Sequence, residues 1–390
     1  MKVAQPVLCA NYELCHELSG LYIHIPYCRK ACTYCNFHFT TGSRYREQFT
    51  EILQMEYNAC LPNWPDVWET IYFGGGTPSL LPPQQLGSFI EHVGKTRGIS
   101  TNAEITLEAN PEDVTPQNIQ QWKQAGINRI SVGVQSLSDL ELEAMNRAHN
   151  AETSLTAVQM LLDAEFRSVN LDLIYGSPWL SDEAWETTLK WAFNCGVQHI
   201  SAYALTAEPN TRLQKDIKSG KTGEPDDEKQ ARHFLLLQDY AANSGWLHYE
   251  ISNICKPGFE AQHNSNYWEN KPYLGLGPSA HSFDGKRTRR WNVSDNRLYV
   301  TGIEKRQPVF EEELLSDEDR INEIIITRLR LTKGLDIGEI GGINAEWWKQ
   351  KHAVILDFLQ KNLVLVEDNH IKLTAQGRLF SDAISREIMI

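Results

Sequence analysis

Strand-like and helical runs alternate through the first two hundred residues, and this alternation constrains the fold more than any other feature of the chain. The strand-like runs are Leu21–Ile25, Thr70–Phe73, Glu104–Glu108, Arg129–Gln135, Ser168–Ile174 and His199–Leu205. Helical patterns lie between them, over Ser43–Cys60, Pro83–Lys95, Pro116–Ala125, Thr153–Ala164 and Asp182–Asn194. Strand, helix and parallel strand cross over right-handedly, so six such units predict a parallel sheet covered by helices. Six fall short of the eight that close a barrel. The expectation is an α/β fold on a partial, open (β/α)6 barrel; a twisted open sheet shares its periodicity.

The alternation stops after about Glu208, so residues 1–208 form the first expected unit. Residues 209–310 form an extension: a long helix over Pro225–Ser244, opened by acidic residues that suit its positive end, then an irregular aromatic stretch from Trp246 to Trp291. Residues 311–390 read as a smaller α+β domain of winged-helix-like order, with helices over Asp317–Leu331 and Asn344–Gln360 and a hairpin over Leu363–Leu373 turning at Asp368-Asn369. That segment holds ten Lys or Arg against fifteen Asp or Glu, and a DNA reader should be basic. The whole chain carries −13, which also argues against nucleic acid as a partner. No apolar run reaches the length of a membrane span, and Met1 to Cys15 lacks the pattern of a secretory signal. A cytoplasmic protein is expected.

Three of the eight cysteines, Cys28, Cys32 and Cys35, crowd into the loop after the first strand-like run. The others (Cys9, Cys15, Cys60, Cys195, Cys255) are scattered and read as small buried apolar residues. A 4Fe–4S cluster usually takes four thiolates. The C-x3-C-x2-C spacing supplies three and leaves one iron open to a small molecule. Three cysteines are equally most of a zinc site, with His24 or His38 as the fourth ligand. Tyr34 and Phe37 flank the last cysteine as aromatic cover. Thirty-nine residues after Cys35 comes Gly74-Gly75-Gly76-Thr77-Pro78, again at a strand end, where glycines let a ligand approach the backbone.

The cysteine loop and the glycine motif together resemble the opening of the radical S-adenosylmethionine (radical SAM) superfamily. The resemblance implies that the open iron chelates S-adenosylmethionine and that the reduced cluster splits a carbon–sulfur bond of its sulfonium. It extends to polar residues at strand ends, where ligand sites lie in β/α folds. Glu108, Gln135, Arg147 and Asp172 each read alone as an exposed or capping residue. In order, they are similar to the S-adenosylmethionine contacts of the oxygen-independent coproporphyrinogen oxidase family. Tyr22, Tyr34, Gly75, Gly76, Thr77 and Ala204 match further contacts. The likeness runs from Tyr22 to at least His281, and more loosely beyond.

Two branches of that family are distinguishable. The coproporphyrinogen III dehydrogenases, which decarboxylate propionates, carry a further cysteine where this chain has Phe37, and a longer segment before the cluster than the 27 residues here. Cys28–Phe37 instead resembles the C-x3-C-x-Y-C-x-F loop of the HemW-type heme chaperones. Their H-N-x-x-Y-W signature matches His263-Asn264-Ser265-Asn266-Tyr267-Trp268. The resemblance implies heme binding through His263, Asn264, Tyr267 and Trp268, with His263 on the iron, Asn264 orienting it and the aromatics covering the macrocycle. His281 is a weaker candidate for a second axial ligand. The partners implied are heme, an acceptor hemoprotein of the respiratory chain, an electron donor if the cluster is reduced, and a second copy of the chain. A membrane-bound acceptor would add peripheral membrane contact. The run Lys286-Arg287-Thr288-Arg289-Arg290 reads as a solvated hairpin tip or as a partner for heme propionates.

Overall fold

The computed structural model describes residues 19–61, 64 and 67–390. Cys9, Cys15 and the Met1 to Cys15 stretch lie outside the described residues. Six strands, β1 (Ser19–Ile25), β2 (Val67–Gly75), β3 (Gly98–Ala109), β4 (Arg129–Gln135), β5 (Ser168–Tyr175) and β6 (His199–Ala204), pair in parallel and in sequence order. The expected partial barrel is therefore present, and it stays open. On the β6 edge, β7 (Leu247–Glu250) and β8 (Asn253–Cys255) continue the sheet in antiparallel fashion. On the β1 edge, β9 (Tyr273–Leu276) pairs parallel to β1, and β10 (His281–Phe283), β11 (Thr288–Asn292) and β12 (Phe310–Leu314) follow antiparallel. The result is one twelve-stranded sheet.

Strict alternation along the six parallel strands explains why an open sheet can hold a site. Leu21, Ile23, Ile71, Phe73, Leu107, Ile130, Val132, Leu171 and Ile200 are buried under the surrounding helices. The alternate positions are polar or small: Tyr22 and His24, Tyr72 and Gly74, Thr106 and Glu108, Ser131 and Gly133, Asn170 and Asp172, Ser201 and Tyr203. Side chains two apart share a face of a strand. Parallel sheets with two dry faces read as continuous apolar runs, so this pattern marks the inner face as one built to meet a polar ligand.

The helices start where their caps dictate. Thr115, Asn150, Ser181 and Asp226 each accept a hydrogen bond from a first-turn N–H. The first helix begins at Phe49, later than the expected Ser43, and Tyr45 on its approach takes the left-handed φ of +67°. The stretch expected to be irregular carries five short strands, β7 to β11, of three to five residues. Strands that short show no readable period.

Residues beyond Leu315 build the smaller unit around a core of their own, with Ile321, Ile325, Trp347, Ile371 and Ile388 buried together. Helices Asp317–Arg330 and Trp347–Gln360 pack on a three-stranded antiparallel sheet of β13 (Leu335–Asp336), β14 (Val364–Glu367) and β15 (His370–Leu373). Asp368 and Asn369 turn the hairpin with φ of +48° and +64°, the pair of left-handed residues a two-residue hairpin turn needs. Among the described residues no helix is long and apolar enough to cross a membrane.

Candidate active site at the open end of the barrel

Register brings the two sequence motifs together. Ile25 pairs with Gly75 and His24 with Gly74, so the cysteine loop and the glycine motif leave adjacent strand ends. Gly76 N–H donates to Ile25 O at 2.8 Å and Thr77 N–H to Tyr27 O at 2.7 Å. A Cβ on Gly76 would stand 2.8 Å from the carbonyl oxygens of both Ile25 and Tyr27. Gly75 lies at φ +106°, and a Cβ there would meet the His24 ring at 2.7 Å. The glycines thus serve first to let the chain approach itself, and Gly75 and Gly76 also line the cavity.

From the other side the segment Met145-Asn146-Arg147 grips the loop. Thr33 N–H donates to Met145 O at 3.1 Å, and the Asn146 amide donates to Ala31 O at 2.8 Å. Arg147 donates to Cys32 Sγ at 3.2 Å, to Asn110 Oδ1 at 2.6 Å and to Gly133 O at 3.0 Å. Thr77 donates to Cys28 Sγ at 3.6 Å. Burial pushes the Cys28 thiol up to about 11 and raises Cys35 as well, so thiolates here require positive charge beside them.

The zinc alternative fits poorly. Both ring nitrogens of His24 are engaged, Nδ1 with the Tyr22 hydroxyl at 3.2 Å and Nε2 with His38 O at 2.8 Å. His38 Nε2 is held by Asn296 Oδ1 at 2.7 Å.

A cavity of about 390 Å3 opens over this loop. Its lining includes Cys28, Cys32, Tyr34, Cys35, Gly75, Gly76, Thr77, Glu108, Gln135, Asp172 and Ala204, which the resemblance had grouped, and Arg147 reaches it through Cys32. Gln135 holds φ +64° at the end of β4. Glu108 accepts from the Tyr72 hydroxyl at 2.8 Å and from Gly75 N–H at 3.2 Å, and burial, with Asp172 nearby, raises its carboxyl to about 7. Burial likewise raises Asp172 to about 6, against the pull of hydrogen bonds from Ser131 and Asn170. Further lining residues, Arg129, Ser131, Asn170, Ser201 and Tyr203, were not singled out from the sequence. The polar alternation of β4 to β6 carries the signal that would have found them. Arg129, which lines the cavity, has its Nε buried without a hydrogen-bond partner, as befits a cavity shaped for a polar ligand. Three thiols at one end and these donors and carboxyls along the wall suit a cluster and a zwitterionic ligand.

Three groups sit otherwise than their sequence context suggests. Tyr22 does not line this cavity: it faces a second one, and its ring lies 6.1 Å from Tyr72 and 6.3 Å from His263. His263 is not an open ligand. It is 1% exposed, with Nδ1 hydrogen-bonded to Thr70 Oγ1 at 2.7 Å and Nε2 to the Tyr267 hydroxyl at 2.8 Å, and burial lowers its pKa to about 3. Asn264 lines the first cavity, while Tyr267 and Trp268 line the second. The basic run is not a solvated tip either. Arg287 pairs with Asp317, Arg289 pairs with Glu323, and Arg290 is buried with its guanidinium 4.8 Å from the Phe310 ring centre.

The family model of the radical SAM superfamily matches residues 22–192, and that of the HemN C-terminal domain matches residues 315–380. The chain is 33% identical over 377 residues to the heme chaperone HemW of Mycobacterium tuberculosis H37Rv, covering 95% of this chain and 94% of that one. It is 29% identical to the heme chaperone HemW of Bacillus subtilis 168, with 94% and 98% covered. Among solved structures, the coproporphyrinogen III oxidase HemN of Escherichia coli superposes with a TM-score of 0.82 at 22% identity, over 97% of this chain and 91% of that one. A relative one-third identical along nearly the full length, together with the superfamily match over the barrel, shows that the chain belongs to the HemW family of radical SAM proteins.

Proposed function

We propose that this chain is a heme chaperone that holds a 4Fe–4S cluster and S-adenosylmethionine, carries heme and passes it to an acceptor hemoprotein of the respiratory chain. The observation that carries this reading is the end-to-end similarity to HemW heme chaperones. The likeness to coproporphyrinogen III oxidase, at 22% identity, speaks for the fold alone.

In this reading Cys28, Cys32 and Cys35 hold the cluster, which supplies an open iron for the amino acid end of S-adenosylmethionine and an electron for its sulfonium. The residues of the chain then divide the remaining work. Arg147 sets a permanent positive charge against the thiolates. Glu108 and Asp172 offer carboxylate acceptors on the inner face, while Gly75, Gly76 and Thr77 let the ligand lie close to the backbone. Gln135 and Ala204 bound it from the opposite strands, and Tyr34 gives an aromatic surface. Asn264, Tyr267 and Trp268 tie the heme-associated segment to both cavities. A second copy of the chain, an electron donor and a membrane-bound acceptor remain partners of the proposal.

Anaerobic reconstitution with iron and sulfide tests it. Close to four irons per chain, heme uptake, and no conversion of coproporphyrinogen III are expected. A single tetrahedral zinc, or turnover to protoporphyrinogen IX without a stable heme complex, overturns it.

A further inference from the structure

A second cavity, of about 700 Å3, shares Asn36 and Phe37 with the cysteine cavity. Its volume falls within the range of pockets for cofactor-sized molecules, about 300–1,000 Å3. Its walls come from five places: β1, the end of the cysteine loop, helix Gln262–Trp268, strands β9 to β11 at the added edge of the sheet, and helix Asp317–Arg330 of the C-terminal unit. Tyr267, Tyr273, Trp268 and Phe283 give it flat aromatic surfaces. Polar groups, among them His24, His38, Asn270 and Glu323, are interleaved with these rings, and three more suit an iron porphyrin. His281 stands exposed at the start of β10, and no described residue hydrogen-bonds to its ring, unlike the rings of His24 and His38 in the same wall. Arg289 brings a guanidinium, paired with Glu323 and stacked 5.6 Å from the Phe283 ring centre. Trp268 Nε1 is buried without a hydrogen-bond partner.

We propose that this cavity seats heme, with the His281 imidazole ligating the iron and Arg289 turning from Glu323 to a propionate. The proposal rests on the chaperone reading and deepens it, because it moves the iron ligand away from His263. Heme iron takes a neutral imidazole. Partial burial of the His281 ring, with Arg289 beside it, holds it below its usual pKa and so favours the ligating form. A guanidinium fork suits a carboxylate. His263 then acts as a positioning residue. Through its bonds to Thr70 and Tyr267 it fixes the helix that carries the aromatic wall.

Ferric heme and iron-free protoporphyrin IX are titrated into the full chain and two variants, read by the Soret band and by the spin state of the iron. His281→Gly is expected to lose the histidine-ligated spectrum, regain it on addition of imidazole, and bind the iron-free porphyrin as the parent does. His263→Ala is expected to weaken both ligands and keep the ligation signature. A parent-like heme spectrum in His281→Gly overturns the assignment, as does a His263→Ala variant whose lost signature imidazole restores. A parent chain that takes up no heme is a different failure and overturns the chaperone reading itself.

Discussion

Replacing Glu108 with glutamine is expected to stabilise the chain in the absence of added ligand, and to do so more at pH 8 than at pH 6. The folded state raises this carboxyl from 4.5 to about 7. Between those limits the folded chain binds a proton that the unfolded chain has released, so stability falls as pH rises, by about 1.4 kcal/mol per unit. Above the folded pKa the whole loss has accrued, about 3 kcal/mol; at pH 6 it is about 2 kcal/mol. Glutamine has the shape of the neutral acid. Its oxygen can take the Gly75 N–H, and its amide can donate to the Tyr72 hydroxyl, so both present partners remain served. Urea midpoints of parent and variant at the two pH values measure the difference, which should grow by about 1.4 kcal/mol between them. A constant difference, or a variant less stable at pH 8, would refute the claim that an ionised Glu108 is strained by burial. The same carboxylate is proposed to meet S-adenosylmethionine, so the gain in stability should come with weaker ligand binding, the usual trade at a built site.

Two further substitutions probe the frame of the site. Gly76→Ala forces a Cβ against two carbonyl oxygens 2.8 Å away and should lower stability by about 3 kcal/mol, read as a shifted urea midpoint. Tyr299→Phe removes the hydroxyl that donates at 2.6 Å to the buried Glu56 carboxylate, which also takes Gly277 N–H and the Asn292 amide; a loss of about 2 kcal/mol in the same assay is expected.

How much of this was legible in the sequence depends on length scale. The six parallel strands and their helices were, because each run is long enough to show its period, and β4 has the limits its sequence suggests. The strands β7 to β11 were not, because three to five residues under aromatic-rich composition show no alternation. The cysteines and the strand-end polar residues were legible as a group through resemblance, and one cavity gathers most of them. The positions of Tyr22 and His263 were not legible for one reason: both sit on or against the inner face where the sheet, β9 and helix Gln262–Trp268 meet, and only three-dimensional packing decides which cavity a ring borders. The basic run failed differently. Its charges looked free because Asp317 and Glu323 lie on a helix some thirty residues on, in a contact that no local pattern announces.

That same packing joins the two cavities through side chains in contact. Glu108, in the wall of the first, accepts from Tyr72, whose ring stacks 5.1 Å from His263. His263 in turn holds the Tyr267 hydroxyl, and Tyr267 lines the second cavity, 4.5 Å from the Tyr273 ring. Phe37, two-thirds exposed at 67%, borders both spaces at the end of the cysteine loop. The position where the dehydrogenase branch carries a further cysteine is here an aromatic wall between a thiol-lined pocket and a larger aromatic one. A ligand that reorients Glu108 or the cysteine loop would act on residues in contact with groups that line the second cavity. Under the proposed chaperone reading, such contact would let the first cavity influence the walls of the second.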